Sequence, residues 1–99
     1  MYVSMTTVAT GDEPAENTAI VGEEMLGWLS GMEGFKGLVI LYQPGKTVGV
    51  SFWETREVAE RLLPLRMEFI ERMMAVANVQ VESIEGFDVV HRDGDQPAT

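Results

Sequence analysis

The feature that most constrains this 99-residue chain is a short apolar run, Leu38-Val39-Ile40-Leu41-Tyr42. Gly34 and Gly37 precede it, and Gln43-Pro44-Gly45-Lys46-Thr47 follows. A brief β-branched and aromatic run between turn residues reads as a strand. Neighbouring side chains on a strand point to opposite faces, so a run without alternation is apolar on both. Both faces of this strand therefore need cover. Helices can cover one face of a sheet, and something else must cover the other.

The turn residues join this strand, 35–43, to a second one, 48–53, as a hairpin. Treating 43–47 as a five-residue loop pairs Tyr42 with Val48, Ile40 with Val50 and Leu38 with Phe52. That register makes one face uniformly bulky: Leu38, Ile40, Tyr42, Val48, Val50 and Phe52. The opposite face pairs Leu41 with Gly49, Val39 with Ser51 and Gly37 with Trp53. The bulky face is expected to pack flat against another sheet. The gapped face leaves room for a ligand beneath a helix. A slip of one residue would exchange the faces.

Residues 2–9 are rich in Val and Thr and read as a first strand, broken by Gly11, Asp12 and Pro14. Val21, Met25, Trp28 and Leu29 then recur at helical spacing, and Gly31 is a natural stop. Thr55 is the expected N-cap of a long helix reaching about residue 77, with Val58, Leu62, Leu65, Phe69 and Met73 as its core stripe. Pro64 inside it predicts a kink or a restart near Leu63. A last strand occupies 79–90, where the alternation slips between Val81 and Ile84 and predicts a bulge.

The order strand, helix, strand, strand, helix, strand is that of an α+β, ferredoxin-like βαββαβ sandwich: a four-stranded antiparallel sheet with two helices on one face. Residues 1–91 form one domain, and 92–99 read as a flexible polar tail. A domain this small buries only roughly two-thirds of its unfolded surface. With one sheet face bare, a homodimer packed sheet to sheet through the bulky face is the expected solution.

Composition narrows the function. Seven Lys and Arg against 16 Asp and Glu leave a net charge of -9, which disfavours nucleic acid and acidic membrane surfaces as partners. The chain has no cysteine, so disulfides, thiol catalysis and Cys-type zinc sites are excluded. No membrane-length apolar stretch occurs, and residues 1–10 lack the pattern of a secretory signal, so a cytoplasmic location is expected. No P-loop, GxGxxG, HExxH or Ser-His-Asp arrangement is present.

Glu33-Gly34-Phe35-Lys36-Gly37, the apolar strand, and Val50-Ser51-Phe52-Trp53-Glu54-Thr55 opening a long helix together resemble the dimeric α+β barrel superfamily. Within it they are most similar to the antibiotic-biosynthesis-monooxygenase-like domains. The closing strand, with Glu82 and Phe87, also fits. The resemblance implies a homodimer and a pocket between sheet and helices. It also implies a cofactor-independent monooxygenase activity on a small apolar phenol- or anthrone-type aromatic. The tryptophan ending the third strand, Trp53, would border the pocket. Heme-degrading relatives ligate iron through a histidine of the long helix; residues 56–77 contain none, and the first strand has no asparagine.

The candidate catalytic residues are Trp53, Arg66 and His91. Trp53 can stack on a flat substrate and donate its indole N–H, or simply plug the core beside Gly37. Arg66 can hold an enolate or phenolate, or pair on the surface with Glu71. His91, the only histidine, can serve as general base or be a solvated strand-end residue. Tyr42 falls on the dimer-facing side in this register. The expected substrate-binding set is Gly37, Val39, Leu41, Gly49, Ser51, Trp28, Phe69 and Met73. Met25, Met32, Met67 and Met74 are further pocket or core candidates. No metal and no cofactor are expected. A non-catalytic dimeric domain that binds a small molecule, or serves in a stress response, is the alternative.

Overall fold

A computed structural model describes residues 1–11, 14–77 and 79–92. Its elements are β1 (Tyr2–Gly11), α1 (Ala15–Leu29), β2 (Phe35–Gln43), β3 (Gly45–Trp53), α2 (Arg56–Arg61), α3 (Leu63–Ala77) and β4 (Gln80–Asp88). The strands form one antiparallel sheet in the order β2-β3-β1-β4. This is the βαββαβ arrangement expected from the sequence, with the second helix in two pieces. Among the described residues, no helix is long and apolar enough to cross a membrane. Most of the expected polar tail lies outside the described residues.

The second helix divides where Pro64 demanded. The Thr55 side chain accepts a hydrogen bond from the Val58 N–H and caps α2. The chain turns at Leu62, and α3 restarts at Leu63 with Pro64 in its first turn, where a missing N–H costs nothing. The restart changes the helical phase. Leu65, expected in the core stripe, is 46% exposed, and Arg66 and Ile70 face inward instead. In β4 the pairing with β1 shifts between Ser83 and Val81, which places a bulge where the alternation slips.

The hairpin register differs from the expected one. Gln43 pairs with Lys46, so the connection is the two residues Pro44 and Gly45, not five. Gly45 has φ +85, the left-handed conformation that the position after Pro requires in such a turn. The shorter turn moves β2 by one residue against β3: Leu38 pairs with Ser51, Val39 with Val50, Ile40 with Gly49 and Leu41 with Val48. A one-residue shift exchanges faces. Leu38, Ile40 and Tyr42 therefore share the helix-facing side with Ser51, Gly49 and Thr47. Val39 and Leu41 join Val48, Val50 and Phe52 on the open side. Gly37 sits at a bulge opposite Phe52, not opposite Trp53.

The core is packed at one end. Leu29, Trp53 and Ala59 are its buried centre, with Met25, Phe35, Leu38, Val58 and Leu62 against them. Gly34 closes this end: its carbonyl accepts the Glu54 N–H at 2.8 Å, and it adopts φ +78. A Cβ there would lie 2.6 Å from Val58 Cγ1. Gly34→Ala therefore meets both strain and collision, and should lower stability by about 1–3 kcal/mol. Gly27, inside α1, has nothing within 4 Å of an added Cβ. Gly27→Ala should raise stability by about 0.5–1 kcal/mol. Urea denaturation of the two variants checks both signs.

Candidate functional site

The helix-facing side of the sheet has an unusual floor. Ser4, Thr6, Val8 and Thr10 alternate along β1, and Thr47, Gly49, Ser51 and Trp53 along β3. Small polar residues and a glycine at these positions do not fill the space beneath α1 and α3. Only the Trp53 end is filled.

Elsewhere the helices and sheet border an open-sided cavity of about 340 Å³. Val21, Gly22 and Met25 of α1 and Ile70, Met73 and Met74 of α3 roof it. Thr6, Val8, Thr10, Thr47, Gly49 and Ile40 form its floor, Asn17 and Thr18 of α1 also line it, and among the described residues none that lines it is charged. Its volume is within the range of small-molecule sites. Gly22 brings α1 close to β2: a Cβ there would be 2.9 Å from Ile40 Cγ1. Toward Trp53 the cavity meets a smaller recess, which shares Thr6, Met25, Gly49 and Ile70 with it and adds Trp28, Ser51 and Arg66.

Arg66 is the unusual group in this recess. It is 5% exposed. Its Nη1 donates to Ser4 Oγ at 3.3 Å and its Nη2 to the Ala59 carbonyl at 2.6 Å. The guanidinium carbon lies 4.8 Å from the centre of the Trp53 ring. Its Nε has no partner, and among the described residues no carboxylate pairs with it. Burial pushes its pKa down, with a weaker opposing influence from Tyr2. A buried guanidinium keeps its proton, so this is a desolvated cation with spare donor capacity.

Trp53 is fully buried. Its Nε1 donates to Ser51 Oγ at 2.8 Å, and its ring meets Phe35 edge-on at 5.6 Å. It lines neither space, so it supports Arg66 from behind and its indole N–H is already committed. Trp28 stacks on Phe69 at 4.2 Å between ring centres, with Trp28 facing the recess and Phe69 bracing it.

Of the other expected site residues, Gly49 lines both spaces, Ser51 the recess and Met73 the cavity. Val39 and Leu41 lie on the opposite sheet face through the register shift, and Gly37 is buried at its bulge. His91 is exposed beyond β4 and lines neither space. Among the described residues no cluster suited to a metal ion occurs. Sequence reasoning missed Thr6, Thr10, Thr47 and Ile40. The alternation of small hydroxyls along β1 was visible, but the side of the sheet they share with Thr47 depends on the pairing of β1 with β3.

A buried cation lacking a carboxylate is not retained for stability, because replacing such a group by an apolar one is often neutral or favourable. Arg66→Met should leave stability within about 1 kcal/mol of wild type, or raise it. Ser51→Ala strands the buried Trp53 N–H and should cost about 1–3 kcal/mol. Chemical denaturation of both variants separates the functional group from the structural one.

No family model matches the chain, and no curated protein matches it. Among solved structures it is similar to a candidate antibiotic biosynthesis monooxygenase from Deinococcus radiodurans. The TM-score is 0.72 at 16% identity, over 97% of this chain and 99% of the other. A likeness that spans both chains at so low an identity is one of backbone arrangement, and it agrees with the strand order and helix placement described above. The chain carries the antibiotic-biosynthesis-monooxygenase-like fold, a ferredoxin-like βαββαβ domain.

Proposed function

We propose that this protein is a cofactor-independent oxygenase of a flat, apolar phenol- or anthrone-type compound. The observation that carries the reading is Arg66, a buried guanidinium that among the described residues has no carboxylate partner and that lines the recess adjoining a largely apolar cavity. A cation there stabilises the oxyanion of an enolate or phenolate far more than it would in water. The fold likeness to a candidate monooxygenase supports the same reaction class.

The substrate would enter beneath α1 and α3 and present its oxygen to Arg66. Deprotonation gives an enolate whose negative charge the guanidinium holds, with the proton passing to solvent. The electron-rich carbon then reduces dioxygen and forms a carbon–oxygen bond. Loss of water from the resulting hydroperoxide leaves a carbonyl. One methylene carbon and one dioxygen thus become one carbonyl and one water, and the substrate supplies all the electrons. The face of Trp53 lies against the guanidinium as a cation–π contact, worth about 2 kcal/mol where desolvated.

The open sheet face supports a second part of the proposal, a homodimer. Met5, Val39, Val48 and Val50 lie on it, with Leu41 and Phe87 50% and 45% exposed. A contiguous apolar face of this kind calls for a partner, and two-fold pairing is the commonest solution. Sedimentation at micromolar concentration should give twice the 11.0 kDa chain mass. Leu41→Glu should shift the protein toward monomer.

Oxygen uptake with a model anthrone tests the activity. Wild type should exceed the spontaneous background and yield the quinone. Arg66→Met should lower kcat by about 10²–10³, the size of a lost oxyanion donor, and His91→Ala should stay within about twofold of wild type. Uptake at background with anthrone and hydroxyanthrones alike would overturn the oxygenase reading. Saturable binding without uptake would favour a non-catalytic binding domain.

A further inference from the structure

The recess that Arg66 lines has a volume of about 20 Å³. That is room for a guest the size of one water, and far too little for a ring. Its polar side chains are Thr6, Ser51 and Arg66, and the rest of its lining is apolar. Among the described residues no carboxylate belongs to it.

Two of these side chains have hydrogen bonds that leave donors over. Arg66 Nη1 and Nη2 carry two N–H groups each. One on Nη1 goes to Ser4 Oγ and one on Nη2 to the Ala59 carbonyl. Each nitrogen therefore keeps an N–H that no described residue accepts. The Trp53 ring covers one face of the guanidinium, so the approach left is its rim, where those N–H groups point. Ser51 Oγ accepts the Trp53 indole N–H, which leaves its own O–H to donate. Both acceptors bound to Arg66 are neutral, so its charge is partly solvated but not balanced.

A water in the recess would accept one of these bonds and leave the charge unbalanced. A small anion does both. It accepts from Arg66 and Ser51, and its attraction to a desolvated guanidinium far exceeds that in bulk water. Size and walls then choose among anions. Phosphate and sulfate exceed the recess and bring more oxygens than its donors satisfy. A halide is a single atom, needs donors on one side only and tolerates apolar contact on the other. We infer that the recess is a site for one small inorganic anion of halide size, chloride being the common member, held by Arg66 and Ser51. The site stands on the recess alone, whether or not the protein is an oxygenase. Where a phenolate or enolate oxygen reaches Arg66, it must displace this anion.

Thermal melts in sodium chloride and in sodium gluconate at equal ionic strength test the site. Matched salts screen the net charge of -9 alike, and gluconate is too large for the recess. Chloride at about tenfold its dissociation constant should raise the wild-type Tm by roughly 5–10 °C over gluconate. Arg66→Met should melt at the same temperature in both salts. The chlorine NMR linewidth of added sodium chloride gives a second reading on the folded protein. Wild type should show excess broadening that bromide competes away, and Arg66→Met should show none. Wild-type melts that coincide in the two salts, or no competable broadening, would each overturn the inference and leave water as the occupant. A chloride effect retained in Arg66→Met would also overturn it, because the anion would then sit elsewhere. Neither readout involves an aromatic compound or turnover, so a failed oxygenase assay leaves this result standing.

Discussion

Trp53 is the fixed point of the molecule. It is buried completely between Leu29 of α1 and Ala59 of α2. Its indole N–H is tied to Ser51 two residues back on the same strand. Its face carries the Arg66 guanidinium and its edge meets Phe35. One side chain thus joins β3, β2, α2 and α3. A large aromatic contributes much of a thin core in a domain this small, and close packing around it leaves few alternative arrangements. It also allows a cation to sit inside a protein without a carboxylate, because the ring face and two neutral acceptors replace part of the lost hydration.

From that point the interior divides. Bulky residues crowd the Trp53 end, and small hydroxyl residues and glycine occupy the other. A chain under selection only for stability would fill the second half, since each void costs dispersion and burial energy. Here the space is kept open by Thr6, Thr10, Thr47 and Gly49 below and by unbranched methionines above. Methionine adapts its shape to what lies against it, so the roof can close on a flat ligand without a fixed imprint. The packed end holds the charge in place and the hollow end leaves open space beside it. Rigidity and room are thereby assigned to different parts of one small domain.

The strands, the helices, the break at Pro64, the bulge in β4 and the Thr55 cap were all legible in the sequence. Each depends on residues within a few positions of one another. The side-chain alternation of β3 was likewise read correctly, which put Gly49, Ser51 and Trp53 together on the helix side. What failed was the relation between β2 and β3. Pro44-Gly45 closes the hairpin in two residues, and the shorter turn carries Leu38 and Ile40 inward and Val39 and Leu41 outward. Arg66 followed a similar logic. Its ambiguous place beside Leu65 was resolved by the restart of the helix at Leu63, which turns Leu65 outward and Arg66 into the recess.

The sequence by itself therefore determined the elements, their order and the chemistry at hand: a tryptophan at a strand end, an arginine on the long helix and a first strand rich in Val and Thr. These are set by local backbone preference and by periodicity, which act along the chain. Only the tertiary structure decided which of them meet. Pairing register and helical phase are set by contacts between segments distant in sequence, and a shift of one residue in either exchanges inside for outside. The cavity and the buried cation in the recess beside it exist only once those two choices are made.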